Sequence, residues 1–599
     1  MIKQILAPFH FKKIPFQLDS SHGEKKRAAN TSQTLQRLWQ YVSLKKVTLS
    51  IVGIIVMTSS ILSLLGPYIV GMAIDDFIVL KEASGFSTVL FQLVLVYTSY
   101  ALFIFLQNFL MVDIAQSTVH HMRADLFKQF HALPISYFDT HHHGELMSRL
   151  TNDIDNVNTT LNQSVIQMFQ SITTLLGTVI VMLLLSPLLT LITFTIIPLL
   201  WIGMRWITKR TGPLYKIQQN DLGEMNGFTE EAFSGLEVIK TFSQEQAMID
   251  SFNETNKNLL QSSFWAQTYA GFIPKVMNLL NFLSFGMIAL VGGLLAIKGY
   301  ITVGVIVIFI EYARQFTRPL NDLANQFNTV LSAIAGAERV FQVFDEPSEA
   351  ENERDHINIT DTNGLVEVNH LSFSYGQTPI LEDISFTARP GEFIAFIGHT
   401  GAGKTTLINI LSRFIQYDAG SIQLDGIELS SITRQSLRAN MSFVLQDSFL
   451  FQASILDNIR YGKLDATKEE VIEACKAANA HEFITHLPEG YDTILDETKI
   501  TISQGQKQLL AIARAFIAKP KILILDEATS NIDTITEIAI QSALQRLMKG
   551  RTSFVIAHRL NTIQHADQII MLQHGKIIEQ GTHQELMQQK GLYYNNMQS

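Results

Sequence analysis

Charge is scarce in this chain. Only 17% of its 599 residues are Asp, Glu, Lys or Arg, while 47% are hydrophobic; soluble globular proteins carry about 25% charged residues. So few charges exclude a chain that faces water throughout, and the length leaves room for several domains. Cysteine is scarcer still: Cys475 stands alone, which excludes an intramolecular disulfide and fits a reducing compartment for the domain that carries it. Its expected role is that of a small buried apolar side chain. The net charge of −9 lacks the positive excess that binds phosphate backbones, so no nucleic acid is expected as partner. Residues 1–46 hold no apolar core long enough for a secretory signal, but Lys and Arg are scattered through them. Basic residues ahead of a first span place the N-terminus on the cytoplasmic side. Within this segment, Ser32–Tyr41 is expected as a short helix on the membrane surface.

Long apolar runs take the place of the missing charge. Residues 47–74, 86–112, 164–185, 188–204, 271–297 and 302–322 each approach the roughly 20 residues a helix needs to cross a bilayer. The short connections between them are poor in Lys and Arg, and the long ones, Asp113–Gln163 and Arg205–Ala270, contain many. Positive charge therefore sits on the N-terminal side, and an even number of crossings returns the C-terminal half there. Apolar recurrence at three and four in Met122–Leu133 and Gly223–Phe242 continues the helices beyond the bilayer, with contacts to a second domain expected near Tyr137–Gly144 and Ser234–Lys240. Consecutive His141, His142 and His143 point in different directions, so they are read as an interfacial loop, not a metal site.

A charge at a span's centre is costly, which singles out Glu311, with Arg314 and Arg318 at i+3 and i+7. Two readings follow. Either this face lines a path for a transported solute and Glu311 influences its choice, or Glu311 and Arg314 pair and fix helix packing. Asn278 and Asn281 are weaker candidates of the first kind. The expected organisation is an N-terminal segment 1–46, an all-α six-helix transmembrane domain 47–339, an acidic linker 340–363, and a separate α/β domain 364–599.

That last domain carries the chemistry. The apolar run Phe393–Ile397 leads into Gly398-His399-Thr400-Gly401-Ala402-Gly403-Lys404-Thr405, followed by Thr406 and a helical pattern. A buried strand, a glycine-rich turn and a helix N-terminus make a phosphate cradle: backbone N–H groups crowd an anion, Lys404 reaches the terminal phosphates, and the Thr405 hydroxyl ligates Mg²⁺. This is a complete P-loop. Downstream, Ile522–Leu525 ends in Asp526 and Glu527, a strand delivering one carboxylate to a metal-bound nucleotide and one to the attacking water.

Between these half-sites lies Ile502-Ser503-Gln504-Gly505-Gln506, followed by Lys507-Gln508-Leu509-Leu510-Ala511. This run resembles the signature motif of ATP-binding cassette proteins, which other P-loop families lack. In the same resemblance Tyr375 is the aromatic that stacks on adenine, Gln446 joins nucleotide to membrane domain and touches Mg²⁺, Ser530–Asp533 is the D-loop, and His558 is the switch histidine. The whole chain beyond its first thirty residues is similar to bacterial half-transporters of the multidrug and lipid exporter family. The resemblance implies a multi-pass cell-membrane protein, with both its N-terminus and its α/β P-loop cassette cytoplasmic, that uses ATP and Mg²⁺ to export hydrophobic or amphipathic compounds. Glu527 and His558 would be catalytic, and residues 398–406, Tyr375, Gln446 and Asp526 would hold ATP.

The helix opened by Ser503, Gly505 and Gln506 would aim its N-terminus at a nucleotide held by another cassette, so a second half-transporter is required. One departure stands out: Gln504 occupies a place where the family has glycine, and Asp496–Thr501 lacks the glycine usual there. Both changes loosen the grip on the phosphate opposite. With Lys404, Asp526, Glu527 and His558 intact, the expectation is an asymmetric pair, in which a different partner chain carries a regular signature and an altered carboxylate. The alternatives are a homodimeric lipid flippase and a slow nucleotide-gated channel or regulator.

Overall fold

The computed structural model describes residues 31–80, 84–349, 353, 356–445, 448–496, 502–526, 533–557 and 563–598. The chain divides into two compact units, one of Met1–Phe130 with Gly144–Asp345 and one of His131–His143 with Glu346–Ser599.

The first unit is helical. A short α1 (Thr31–Val42) precedes α2 (Lys46–Ala73) and α3 (Phe86–Ala132). A short helix of the second unit, α4 (Ile135–Thr140), then interrupts the series before α5 (His143–Leu185), a helical run broken by π turns at Arg149–Asp153 and Thr160–Val165. Next come α6 (Pro187–Phe194), α7 (Ile196–Ser234), α8 (Leu236–Thr241), α9 (Glu245–Ile297) and α10 (Val303–Asp345). Among the described residues, the runs Thr31–Val79, Phe86–Ala132, His143–Leu185 and Glu245–Ile297 are long and apolar enough to cross a membrane. The remaining expected spans fall in α6–α7 and α10. The 47 residues of α3 rise about 70 Å, more than twice a hydrocarbon core of about 30 Å, so the helix continues well past its apolar part.

Packing in this unit centres on α10. Phe309 and Tyr312 are fully buried with Leu64, Met182, Leu189 and Ile288. Pro67 interrupts the hydrogen bonding of α2, and nearby the Tyr312 hydroxyl donates to the Leu64 carbonyl at 2.7 Å. At the start of α10, Asp75 accepts from the Thr302 hydroxyl and from the Gly304 amide, capping the helix from a neighbouring one. Further along, Arg339 donates to the buried Asp153 in the first π turn.

The second unit is α/β. A six-stranded sheet runs in the order β10-β9-β3-β8-β7-β6, where β3 is Phe393–Ile397, β6 Met441–Val444, β7 Ile522–Asp526, β8 Thr552–Ile556, β9 Gln568–Gln573 and β10 Lys576–Gly581. All its pairings are parallel except that of β10. Burial on both faces explains why β3 reads as the unbroken apolar run FIAFI, with every residue buried. An antiparallel sheet, β2-β1-β4-β5, packs against one face through Phe386, which meets Phe396 and Phe554 edge-on. Its strands are β1 (Val366–Tyr375), β2 (Thr378–Ala388), β4 (Ala419–Leu424) and β5 (Ile427–Glu428). The other face is covered by helices that include α12 (Gln504–Ala518) and α13 (Thr534–Met548); α11 (Lys404–Leu411) follows β3.

The last long helix, α10, runs to Asp345, through residues expected to open the linker. Past it, Glu349 receives a two-pronged bond from Arg438 at 2.7 and 3.0 Å, and Glu353 accepts from Arg434 at 2.8 Å. The Glu349 amide also donates to the Ala132 carbonyl at 2.7 Å, which ties residues 131–143 to the linker within the second unit.

Candidate functional site

The turn after β3 owes its shape to glycine. Gly398, Gly401 and Gly403 have φ of 147°, 84° and 100°, values that side chains with a Cβ disfavour. Space matters as well as conformation: a Cβ on Gly398 would lie 2.2 Å from the Leu572 carbonyl oxygen, whereas one on Gly401 would meet nothing. The loop is thus held against the sheet at one end and open in the middle. Lys404, the first residue of α11, is 7% exposed and donates to the carbonyls of Gly398 at 2.6 Å and His399 at 3.1 Å. Burial lowers the pKa of its ammonium, and the field of Asp526 opposes that shift. Asp526 ends β7, paired in register with Ile556 of β8. Lys404 follows the loop at the carboxyl end of β3 and Asp526 stands at the carboxyl end of β7, with β8 between the two strands, on the side where α/β sheets bind ligands. Thr405 is exposed beside Lys404 and Thr406 half-buried, so a hydroxyl and a carboxylate are at hand for a hard divalent cation.

Tyr375 closes β1 with its ring 53% exposed, held edge-on by Phe373 at 4.8 Å. A flat exposed face held by a buried ring suits base stacking. Ser503 caps α12 in a reciprocal box: its hydroxyl accepts from the Gln506 amide at 3.2 Å, and the Gln506 side chain accepts from the Ser503 amide at 2.9 Å. Gly505 is buried, whereas Ser503 and Gln504 are exposed. The S-x-x-Q spacing that marks such a box stands in the sequence beside the signature reading. Asp533 caps α13 by accepting from the Thr536 amide at 2.9 Å, and this bond foremost holds its carboxyl below the usual range. Gln446, Glu527, Ser530 and His558 lie outside the described residues.

In the helical unit, Glu311 and Arg314 are bonded to each other at 3.3 Å with both side chains well exposed, and Asn278 is exposed. The Arg318 side chain lies outside the described residues. A cavity of about 460 Å³ opens elsewhere, among α2, α3, α5 and α10, and neither Glu311, Arg314 nor Asn278 lines it. Its walls are mostly amides and hydroxyls, beginning with Gln107 and Asn108 inside the otherwise apolar run of α3. A scan for charges passes over such residues; amides within apolar runs are the signal that finds them.

Comparison with known proteins agrees with this division of the chain. Residues 49–320 match the model described as ABC transporter transmembrane region, and residues 381–530 match that described as ABC transporter. The chain is 55% identical to the uncharacterized ABC transporter ATP-binding protein YfiC of Bacillus subtilis, over 99% of this chain and 98% of that one. It is 44% identical to a fatty acid ABC transporter ATP-binding/permease protein of Mycobacterium tuberculosis, over 83% and 79% of the two chains. Identity with an ATP-dependent lipid A-core flippase of Syntrophus aciditrophicus is 34%, over 90% and 89%. The chain belongs to the half-transporters of the ABC exporter family, cell-membrane proteins in which helical spans are fused to a cassette that binds and hydrolyses ATP to drive export.

Proposed function

We propose that this chain is one subunit of a heterodimeric exporter for hydrophobic or amphipathic compounds. The observation that carries the ATP-driven part is the buried Lys404 ammonium bonded to the carbonyls of a glycine-shaped loop, in a chain whose other half is long apolar helices. In this reading the N-terminus and the cassette are cytoplasmic and six spans cross the membrane.

At the nucleotide, Tyr375 stacks on the base, backbone N–H groups of residues 398–406 surround the phosphates, and Lys404 neutralises the charge that grows on the transferred phosphoryl group. Thr405, Gln446 and Asp526 would hold Mg²⁺, which would supply positive charge to offset that of the phosphates. Glu527 polarises the attacking water, and His558 orients it and donates to the γ-phosphate. Ser503, Gly505 and Gln506 at the start of α12 address the nucleotide of the partner cassette through the helix dipole. Binding closes the cassettes and shifts the spans towards an outward-open state; hydrolysis resets them.

The asymmetric pairing rests on Gln504. An exposed glutamine at the first turn of α12 puts a side chain where the family brings bare backbone to phosphate. Expression of this chain alone and together with a candidate partner half-transporter, followed by vanadate-sensitive ATPase and transport assays in proteoliposomes, tests both parts. Activity only in the co-expressed complex is expected. Full substrate-stimulated turnover by the chain alone would favour the homodimer, and ion conductance without uphill transport would favour a channel.

A further inference from the structure

The second unit holds a cavity of its own, of about 570 Å³. Its wall is drawn from the start of α4 (Pro134 and Ser136), from residues 347–349 after α10, and from Ile410 with residues 413–417 where the chain leaves α11. All of these belong to the second unit. Among the described residues, none of 398–406, Tyr375 or Asp526 lines it. Ile410 is near the opposite end of α11 from Lys404, about 9 Å along the helix axis. An occupant of this cavity is therefore separate from a nucleotide on the phosphate loop.

Hydrogen-bond donors are concentrated in the wall. The Arg413 and Arg434 side chains line it at only 11% and 22% exposure, and their partners leave part of that donor capacity over. Arg434 Nη1 donates to Glu353 at 2.8 Å and also to the Glu349 carbonyl. Its Nε is buried without a hydrogen bond, 3.5 Å from Glu349 Oε1, on a carboxylate that Arg438 holds with both prongs. Arg413 donates to the Ile432 carbonyl and stands 3.6 Å from Glu353, beyond hydrogen-bond reach. Burial foremost, and the neighbouring Arg434 charge next, lower the pKa of Arg413; an anion in the cavity opposes both effects. His356 Nδ1, also on the wall, is buried with no partner among the described residues.

The rest of the wall is apolar. Phe414 presents a ring held by the Arg438 guanidinium at 4.6 Å and by Phe443 at 5.4 Å, and Ile410, Ile415, Pro134 and Pro347 add to it. Guanidinium groups donate and never accept, so the occupant must bring acceptors. A bare inorganic anion would meet the nitrogens and leave the apolar wall uncovered; a neutral apolar molecule would do the reverse. The volume falls within the range of about 300–1,000 Å³ found for small-molecule sites.

We propose that this cavity binds a small organic anion, an acidic oxygen group on an apolar body of ring size, with Arg434 Nε and His356 Nδ1 donating to its oxygens and Phe414 against its body. The test measures binding to the purified full-length protein in detergent, with saturating ADP so that the phosphate loop is occupied. Four probes are used: naphthoate, naphthyl phosphate, naphthamide and inorganic phosphate. Saturating naphthoate or naphthyl phosphate is expected to raise Tm by about 2–4 °C, and calorimetry to give naphthamide and inorganic phosphate a Kd at least about tenfold weaker. The tighter of the two naphthyl anions identifies the acid as carboxylate or phosphate.

His356→Phe, which keeps a ring and removes the donor, is expected to weaken the naphthyl anion about tenfold. Ser348→Trp fills the cavity from a residue that takes no part in the ion pairs, and is expected to abolish binding while ADP affinity stays at the wild-type value. Where His356→Phe fails to fold, Ser348→Trp alone decides. Equal affinity for naphthamide would overturn the anionic assignment, and equal affinity for inorganic phosphate the apolar one. Binding unmoved by Ser348→Trp, or no binding of any probe, would overturn the site itself.

Discussion

The carboxylate of Asp75 accepts a hydrogen bond from the backbone amide of Gly304 at 2.7 Å. Gly304 allows this approach because it has no side chain: a Cβ there would lie 2.1 Å from the Gly71 carbonyl oxygen. Gly304→Val is therefore expected to destabilise the helical unit by about 1–3 kcal/mol, read as a lower melting temperature in detergent. Asp75→Ala, which orphans two donors, is expected to cost about 1–2 kcal/mol. Asp75→Asn, which keeps an acceptor, is expected to cost less.

Lys404→Ala and Asp526→Asn should each lower ATP turnover of the assembled transporter by about 10²–10³-fold, with little loss of expression. Measurement of phosphate release at saturating ATP checks this. A fall smaller than tenfold in either variant would remove that residue from the proposed site.

Gln504→Gly is expected to raise turnover of the heterodimer about two- to fivefold, the size of one recovered backbone hydrogen bond. It leaves the Ser503–Gln506 box in place, because that box uses residues on either side. Ser503→Ala, in contrast, removes a cap worth about 1 kcal/mol, so the two variants separate a loosened grip from a frayed helix.

Cys475 is fully buried, and desolvation raises its thiol to about 12 from 9.0. At pH 8 the thiolate fraction falls by about a thousandfold relative to an exposed thiol, so maleimide should label native protein only on unfolding. The sign for stability follows from the raised value: the native state holds its proton more tightly, so this contribution is complete below pH 9 and is lost as pH rises through about 12. Because the chain has one cysteine, labelling stoichiometry reads the site directly.

Glu349 and Arg438 form a bidentate pair that fixes the linker to the cassette. Arg438→Glu is expected to cost about 2 kcal/mol or more, since it leaves two carboxylates beside Glu353. The swap Arg438→Glu with Glu349→Arg should recover part of that loss. Thermal unfolding of the full transporter, followed by tryptic cleavage at the linker, measures both.

The cassette was more legible than the membrane half, for a physical reason. A parallel sheet buried on both faces writes itself as apolar runs, and β3 and β7 stand at the stretches read as strands. Phosphate loops need glycine at fixed spacing, so Gly398, Gly401 and Gly403 could be picked out by position alone. Spans, by comparison, are read from composition, which says little about the face each residue presents. Glu311 drew notice because it is charged, yet its partner is Arg314 on the same helix. The cavity of the helical unit is lined instead by uncharged amides, brought together by a π turn and a proline whose effects on helix register leave no periodic trace. Side chains such as Gln107 and Gln315 come to line one cavity only in three dimensions.

Residues 131–143 are grouped with the nucleotide-binding unit, although the chain enters them from α3 and leaves them into α5. With the junction after α10, covalent tethers between the units therefore occur at the ends of three helices. The same three helices, α3, α5 and α10, wall the amide cavity together with α2. Every covalent path from the second unit into the first therefore begins on a helix that lines the cavity.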